Sequence, residues 1–208
     1  MTKCLPMLEP GVLLRRLPPM AIPRIVHRIW LGDRALPPAC DQFAASLARM
    51  FPPDTWTHVI WSKPPAIENR ITGDLIERCP NPGAASDVAR LEILFAHGGV
   101  YADVDVQAVT GEPPPWINWC ACWAAKQNAG GGNFLIGAAP GAAPIRAALV
   151  TIAANARVIP GMDISHTMGL TGPDVVARAF ASHRDASLIE RPLWERYFMH
   201  HQMGTWIP

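Results

Sequence analysis

Charge is scarce in this sequence. Asp, Glu, Lys and Arg make up 17% of 208 residues, against 50% hydrophobic, and that balance excludes a disordered chain. Charge of one sign is scarcer still. The formal net charge is +1 and no basic stripe runs along the chain, so no nucleic acid is expected as a partner. No apolar run reaches the ~18 residues of a membrane-spanning helix. The five cysteines are odd in number and form no C-x-x-C. A disulfide framework and a zinc site are therefore not expected, and free thiols in a reducing, cytoplasmic compartment are. The opening MTKCLPMLEPGVLLRRLPPMA lacks an apolar signal core and is broken by Pro6, Pro10 and Arg15-Arg16. Residues 1–21 read as a soluble lead-in. Arg15-Arg16 between leucines offers peripheral contact to an anionic membrane surface, a solvated pair being the ordinary account. The remainder, 22–208, is long enough for one domain with a sizeable core.

Proline is abundant instead, with 22 residues in clusters such as Pro18-Pro19, Pro37-Pro38, Pro52-Pro53, Pro64-Pro65 and Pro113-Pro114-Pro115. Each cluster separates segments of distinct pattern and reads as a rigid connection. Between them, strands are predicted at Ile22–Leu31, Thr55–Trp61, Val100–Val109, Trp119–Ala125 and Asn133–Ala138, the last two joined by a Gly130-Gly131-Gly132 turn. Helices are predicted at Pro38–Met50, Pro144–Arg157 and Pro173–Ser182. A further helix has Asn81 as cap, Pro82 in the first position, an apolar face of Val88, Leu91, Leu94 and Phe95, and Gly98-Gly99 as its stop. The tail from Leu188 is aromatic and rich in histidine. Alternating strands and helices argue for an α/β domain with a mostly parallel central sheet flanked by helices. In such sheets ligands bind beyond the carboxyl ends of the strands.

The stretch GGVYADVDV, residues 98–106, puts Asp103 and Asp105 at the end of an apolar run. In a regular strand, residues two apart point the same way. Two carboxylates side by side raise each other's pKa and resist burial. A divalent cation removes the conflict, and Mg²⁺ or Mn²⁺ takes such oxygens together with substrate phosphates. A bare D-x-D is short, and a solvated turn is its ordinary reading. The helix before it carries Asp87 and Arg90 at i and i+3 on one face, giving either a surface ion pair or two more groups for a polar ligand.

Ser86, Asp87, Arg90, Leu94, Gly98, Gly99, Tyr101, Asp103 and Asp105 form the pattern S-D-x-x-R-x-x-x-L-x-x-x-G-G-x-Y-x-D-x-D. This pattern resembles glycosyltransferase family 32. Members are the D-x-D sugar-binding-region enzymes of capsular polysaccharide synthesis and the initiating mannosyltransferases of yeast. The glucosylating domains of clostridial toxins are more distantly similar. IPRIVHRIWLG, VIWSK, NFLIGAAPGAAP, TGP and HHQMGTW resemble further segments of that family, in family order from Ile22 to Trp206. The resemblance implies a GT-A type fold, a UDP- or GDP-sugar donor, a saccharide or other hydroxyl acceptor, Mn²⁺ or Mg²⁺, and retention of anomeric configuration. Residue by residue it implies that Trp30 stacks on the base and that Asp87 and Arg90 hold ribose and sugar hydroxyls. Tyr101 would pack beside the nucleotide and Asn133 would reach the sugar. Asp103 would contact ribose or a metal-bound water, Asp105 would ligate the metal, and His201, Thr205 and Trp206 would close over the diphosphate, with His200 or His201 facing the site. Thr205 stands where the family has serine. Apart from the resemblance, Trp30 and Tyr101 read as core, Asn133 as a turn residue, His200-His201 as surface, and His27 as a hydrogen-bonded core histidine.

The expected activity is metal-dependent, retaining glycosyl transfer carried by Asp103, Asp105 and Arg90. The metal ligands are drawn from Asp103, Asp105 and His201. No enzymic nucleophile stands out, so same-face substitution with the leaving diphosphate as base is the expected route. The rival readings are a nucleotide-sugar-binding protein without transfer, a metal-dependent nucleotidyltransferase or phosphohydrolase, and a structural partner of a polysaccharide assembly.

Overall fold

A computed structural model describes residues 21–127 and 130–204. In chain order the elements are β1 (Ile25–Ile29), α1 (Ala39–Met50), β2 (Thr57–Trp61), α2 (Leu75–Arg78), α3 (Pro82–His97), β3 (Gly99–Ala102), β4 (Val106–Ala108), β5 (Cys122–Gln127), β6 (Gly130–Ala138), α4 (Ala143–Ala154), α5 (Thr167–Leu170), α6 (Pro173–Ala181), β7 (Ala186–Ile189), α7 (Arg191–Trp194) and β8 (Phe198–His200). Six strands form a sheet in the order β2-β1-β3-β6-β5-β7, and β4 pairs with β8 separately. β1 runs parallel to β2 and β3, and β5 runs parallel to β7. β6 runs against both of its neighbours. The sheet is thus mostly parallel, as the sequence predicts.

Alternation along the strands divides the core between the two faces. Tyr101 and Ile136 face a cluster with Val88, Leu91 and Leu94 of α3, Ile145 of α4 and Val176 of α6. Val100, Ala102 and Leu135 face the other cluster, with Leu47 of α1, Trp116, Trp123, Trp194 and Phe198. Trp123 lies flat against Gly137, where a Cβ would meet the indole at 2.3 Å. The strand can pack this ring only because that position is bare.

α3 forms as the sequence predicts. Asn81 is extended at φ −150°, its side chain accepts from Ala84 N at 2.8 Å, and Pro82 occupies the first turn. Gly98 ends the helix at φ 63°, and a Cβ there would stand 2.6 Å from Pro140 Cδ and 2.8 Å from Pro140 N. Gly99 follows at φ 102°, where a Cβ would meet Ile25 O at 2.7 Å. These two residues fold α3 straight back into β3 between β1 and β6.

Three predictions need correction. Val100–Val109 is not one strand. Asp103 N still donates to Phe134 O at 2.8 Å, but Val106 N then donates to Asp103 O at 3.0 Å and closes a turn. β4 leaves the main sheet and pairs with β8. The three glycines are not the turn either. Gly130 and Gly131 already pair with Gln127 and Lys126. Gly132 lies where a Cβ would meet Ala125 O at 2.5 Å, so it permits close strand approach beside a register shift. Trp119, expected at the start of β5, is 68% exposed, and the strand begins at Cys122.

Candidate functional site

A cavity of about 750 Å³ opens at the carboxyl ends of β1 and β3, where an α/β sheet is expected to hold its ligand. Trp30, Asp87, Arg90, Tyr101, Asp103, Asp105 and Asn133 all line it, as does His200. Thr205 and Trp206 lie outside the described residues.

Asp103 and Asp105 converge through the turn at Val104, not through regular strand geometry. Asp105 is buried and is the anchor of the C-terminal segment. Its Oδ2 accepts from Met203 N at 2.9 Å, its main-chain O accepts from His201 N at 3.1 Å, and its Oδ1 lies 3.4 Å from His200 Nε2. Burial raises its pKa, but His200 and the Met203 amide outweigh that and hold the carboxyl below its ordinary value. Burial raises the Asp103 carboxyl, Arg90 opposes this, and Asp105 adds to it, for a net upward shift.

His200 supplies the third corner. Ligand atoms of Asp103, Asp105 and His200 all lie within 4.8 Å of one another. The His200 ring stacks on Phe134 at 4.2 Å, and its buried Nδ1 has no hydrogen-bond partner. His201 does not join the carboxylates. Its Nε2 pairs with Gln107 Oε1 at 2.9 Å, and its ring stacks on Phe43 at 4.2 Å. Adjacent residues of an extended chain point opposite ways, so one histidine of the pair must face away, and it is His201. Two carboxylates with one imidazole fit a divalent cation, and the candidate set is Asp103, Asp105 and His200.

Arg90 is the hub of the neighbouring network. Its guanidinium pairs with Asp87 Oδ1 at 3.0 Å and Asp103 Oδ1 at 3.1 Å. It donates to Asn133 O at 2.6 Å and lies 4.6 Å from the centroid of the Tyr101 ring. Burial opposes its charge, yet Asp103, Tyr101 and Asp87 together hold its pKa above the ordinary value. Asp87 accepts from Asn133 Nδ2 at 2.7 Å and from Thr171 Oγ1 at 3.1 Å. Its carboxyl is pushed up to about 6, chiefly by burial, with Arg90 pulling against that. Tyr101 is core and site at once: buried, with its hydroxyl donating to Asp103 Oδ1 at 2.5 Å. Burial sets its phenol well above the ordinary pKa. Trp30 is half-buried at the cavity wall, its Nε1 donating to Arg34 O at 2.6 Å.

Three residues escaped sequence reasoning. Thr171, fully buried, steadies Asp87 from the T-G-P turn, and that motif was the available signal. Glu92, also buried, accepts from Thr72 N and Oγ1 at 2.8 and 2.7 Å and ties a loop to α3. Arg28 is a buried cation next to His27 in a strand otherwise made of isoleucine and valine, and the charge itself was the signal.

Residues 44–118 match the family model described as "Glycosyltransferase sugar-binding region containing DXD motif". Among solved structures, the chain is similar to the PaToxG glycosyltransferase, at 19% identity and a TM-score of 0.62, over 78% of this chain and 70% of that one. It is also similar to the ligand-free glycosyltransferase domain from the YGT toxin, at 11% identity and a TM-score of 0.59, over 83% of this chain and 81% of that one. None of the curated proteins compared with the chain matches it. The sheet and its flanking helices are those of the GT-A type.

Proposed function

From a DXD sugar-binding region seated on a GT-A fold, we propose that this chain is a metal-dependent, retaining glycosyltransferase of family 32 type. It would move a hexose from a UDP- or GDP-sugar to a hydroxyl of a saccharide acceptor, as in polysaccharide assembly. The observation that carries the reading is one convergence. Asp103, Asp105 and His200 meet within 4.8 Å, and Arg90 pairs with Asp103 while reaching Asp87 and the Asn133 carbonyl.

In this reading Asp103, Asp105 and His200 hold Mn²⁺ or Mg²⁺. When bound, the cation would act as a Lewis acid toward the departing diphosphate. Asp87 and Asn133, already fixed against each other, present one acceptor and one amide to sugar hydroxyls. Trp30 gives the base an aromatic wall. Arg90 pairs with buried Asp87 and half-buried Asp103 and leaves neither free to attack the anomeric carbon, which favours substitution on one face with the leaving oxygen taking the acceptor proton. The segment after β8 is tied to Asp105 through Met203 N; the closing role the family resemblance implies for Thr205 and Trp206, which would exclude water from the diphosphate, falls outside the described residues. Residues 22–208 act as one domain. A cytoplasmic setting keeps the cysteines reduced, consistent with free Cys40, Cys79, Cys120 and Cys122. Among the described residues, no helix is long and apolar enough to cross a membrane.

The test is a panel of UDP- and GDP-sugars with and without Mn²⁺, read by thermal shift and by release of nucleotide diphosphate. One donor should raise the melting temperature only with metal and be slowly hydrolysed. Asp105→Ala should abolish both effects; if it leaves metal-dependent donor binding and hydrolysis intact, the metal role of Asp105 is wrong. Transfer to added saccharides distinguishes an enzyme from a protein that only binds the donor.

A further inference from the structure

Arg28 in β1 is 7% exposed. Among the described residues no carboxylate lies within 4.0 Å of it, in contrast to Arg90 with its two acids. A buried guanidinium without a counter-ion is costly, so what it touches matters. Its Nη2 donates to two carbonyls, Cys40 O at 3.2 Å and Val104 O at 3.1 Å. Cys40 lies in the first turn of α1 with Asp41 beside it, and Val104 is the middle residue of the Asp103-Val104-Asp105 turn. The Val104 side chain packs below the turn against Cys40 and Phe43. The Nε of Arg28 is buried with no partner, so the side chain is not held by a full set of bonds. Its two polar contacts serve α1 and the turn.

We propose that Arg28 is a positioning residue for the metal-binding turn. It clamps the Val104 carbonyl to the start of α1, so that the carboxylates on either side stay aimed at one point. This rests on the metal-dependent reading above. A turn bearing two like charges relaxes by spreading. The Val106-to-Asp103 hydrogen bond closes the turn along the chain, while Arg28 is the side chain that ties its middle carbonyl to the body of the protein. The fork of the guanidinium is what allows one nitrogen to sit between two carbonyls while the stem fills an apolar layer.

The experiment is direct Mn²⁺ binding by electron paramagnetic resonance, with no donor present, on the full chain and on Arg28→Met and Arg28→Lys, alongside melting temperature and amide exchange at Val106. Arg28→Met should weaken Mn²⁺ by about tenfold or more, a loss of about 1.4 kcal/mol, and speed exchange of the Val106 amide. Arg28→Lys keeps the charge but reaches one carbonyl, and should lose about threefold. A folded Arg28→Met that binds Mn²⁺ as wild type does overturns the proposal, whatever its melting temperature, because a purely structural arginine would change only the latter. If Arg28→Met does not fold, Arg28→Lys decides: an intermediate loss supports the clamp and wild-type affinity overturns it. Wild-type protein that binds no Mn²⁺ overturns the metal reading itself and this inference with it, a result distinct from a binding wild type with an unaffected variant.

Discussion

Two buried corners of this molecule each hold a histidine, and they treat it in opposite ways. At the α3–β3 corner, His27 is 1% exposed with both nitrogens engaged. Nε2 meets Gly98 O at 2.9 Å, and Nδ1 accepts from Trp61 Nε1 at 3.2 Å. That pairing fixes a neutral ring with its proton on Nε2. At the cavity floor, His200 has one nitrogen 3.4 Å from Asp105 and the other buried without a partner. The first corner is finished by protein atoms alone. The second turns Nε2 toward a carboxylate and leaves the other nitrogen without a protein partner. Both ring nitrogens of His27 have protein partners, while His200 keeps one without.

The largest effect should come from breaking the finished corner. Gly98→Ala places a Cβ 2.6 Å from Pro140 Cδ at a φ of 63°. Backbone strain and overpacking act together, and a loss of about 3 kcal/mol or more is expected in chemical denaturation. Because Gly98 aims β3, Mn²⁺ binding should fall as well. The His27 ring gives a subtler handle. Burial, its largest influence, lowers its pKa from 6.5 to about 4. The unfolded chain then takes up a proton near pH 6.5 that the folded chain refuses until about 4. His27 therefore contributes nothing unfavourable above 6.5, and stability drains away as pH falls from 6.5 to 4, by up to about 3 kcal/mol. Asp87, raised from 3.8 to about 6, acts in the opposite sense across that window. The measurement is therefore the difference between wild type and His27→Gln in unfolding free energy from pH 4 to pH 7. The variant should be weaker at pH 7 and lose less on acidification; parallel curves would refute the neutral pairing.

The scaffold was more legible in the sequence than the site. α3 announced its own ends, because Asn81, Pro82 and Gly98 act through the local backbone. His27 was recognisable as a core histidine, because an imidazole in an apolar strand must find partners nearby. The D-x-D pair was visible, yet the reason for its convergence was not. Period-two geometry requires a regular strand, while the chain turns at Val104 under tertiary control from Phe134, α1 and β8. The glycine run misled for a related reason: Gly132 serves close approach to Ala125 and not chain reversal. Thr171 reaches Asp87 across 84 positions of sequence, a contact that local pattern does not encode. The Arg90 network was legible as a face shared by Asp87 and Arg90 and, through the family pattern, in Tyr101, Asp103 and Asn133; its depth of burial comes from packing.

The smallest structural change should sharpen the comparison most. His200→Phe keeps a ring against Phe134, where the imidazole now stacks at 9°. It removes the unpartnered Nδ1 but also the Nε2 contact to buried Asp105 at 3.4 Å, so stability should fall by about 1 kcal/mol. Binding should respond as well. Loss of the imidazole from a set whose atoms lie within 4.8 Å should weaken Mn²⁺ about tenfold, near 1.4 kcal/mol. His201→Phe is the matched control, since His201 sits on Phe43 and pairs with Gln107. It should leave Mn²⁺ affinity within about twofold while giving up one exposed hydrogen bond, roughly 0.5–1.5 kcal/mol. The two adjacent substitutions thus part at the ligand, His200→Phe weakening Mn²⁺ and His201→Phe leaving it nearly unchanged. If both variants change Mn²⁺ affinity equally, the facing assigned to the pair is wrong, and the incomplete corner is not the metal seat.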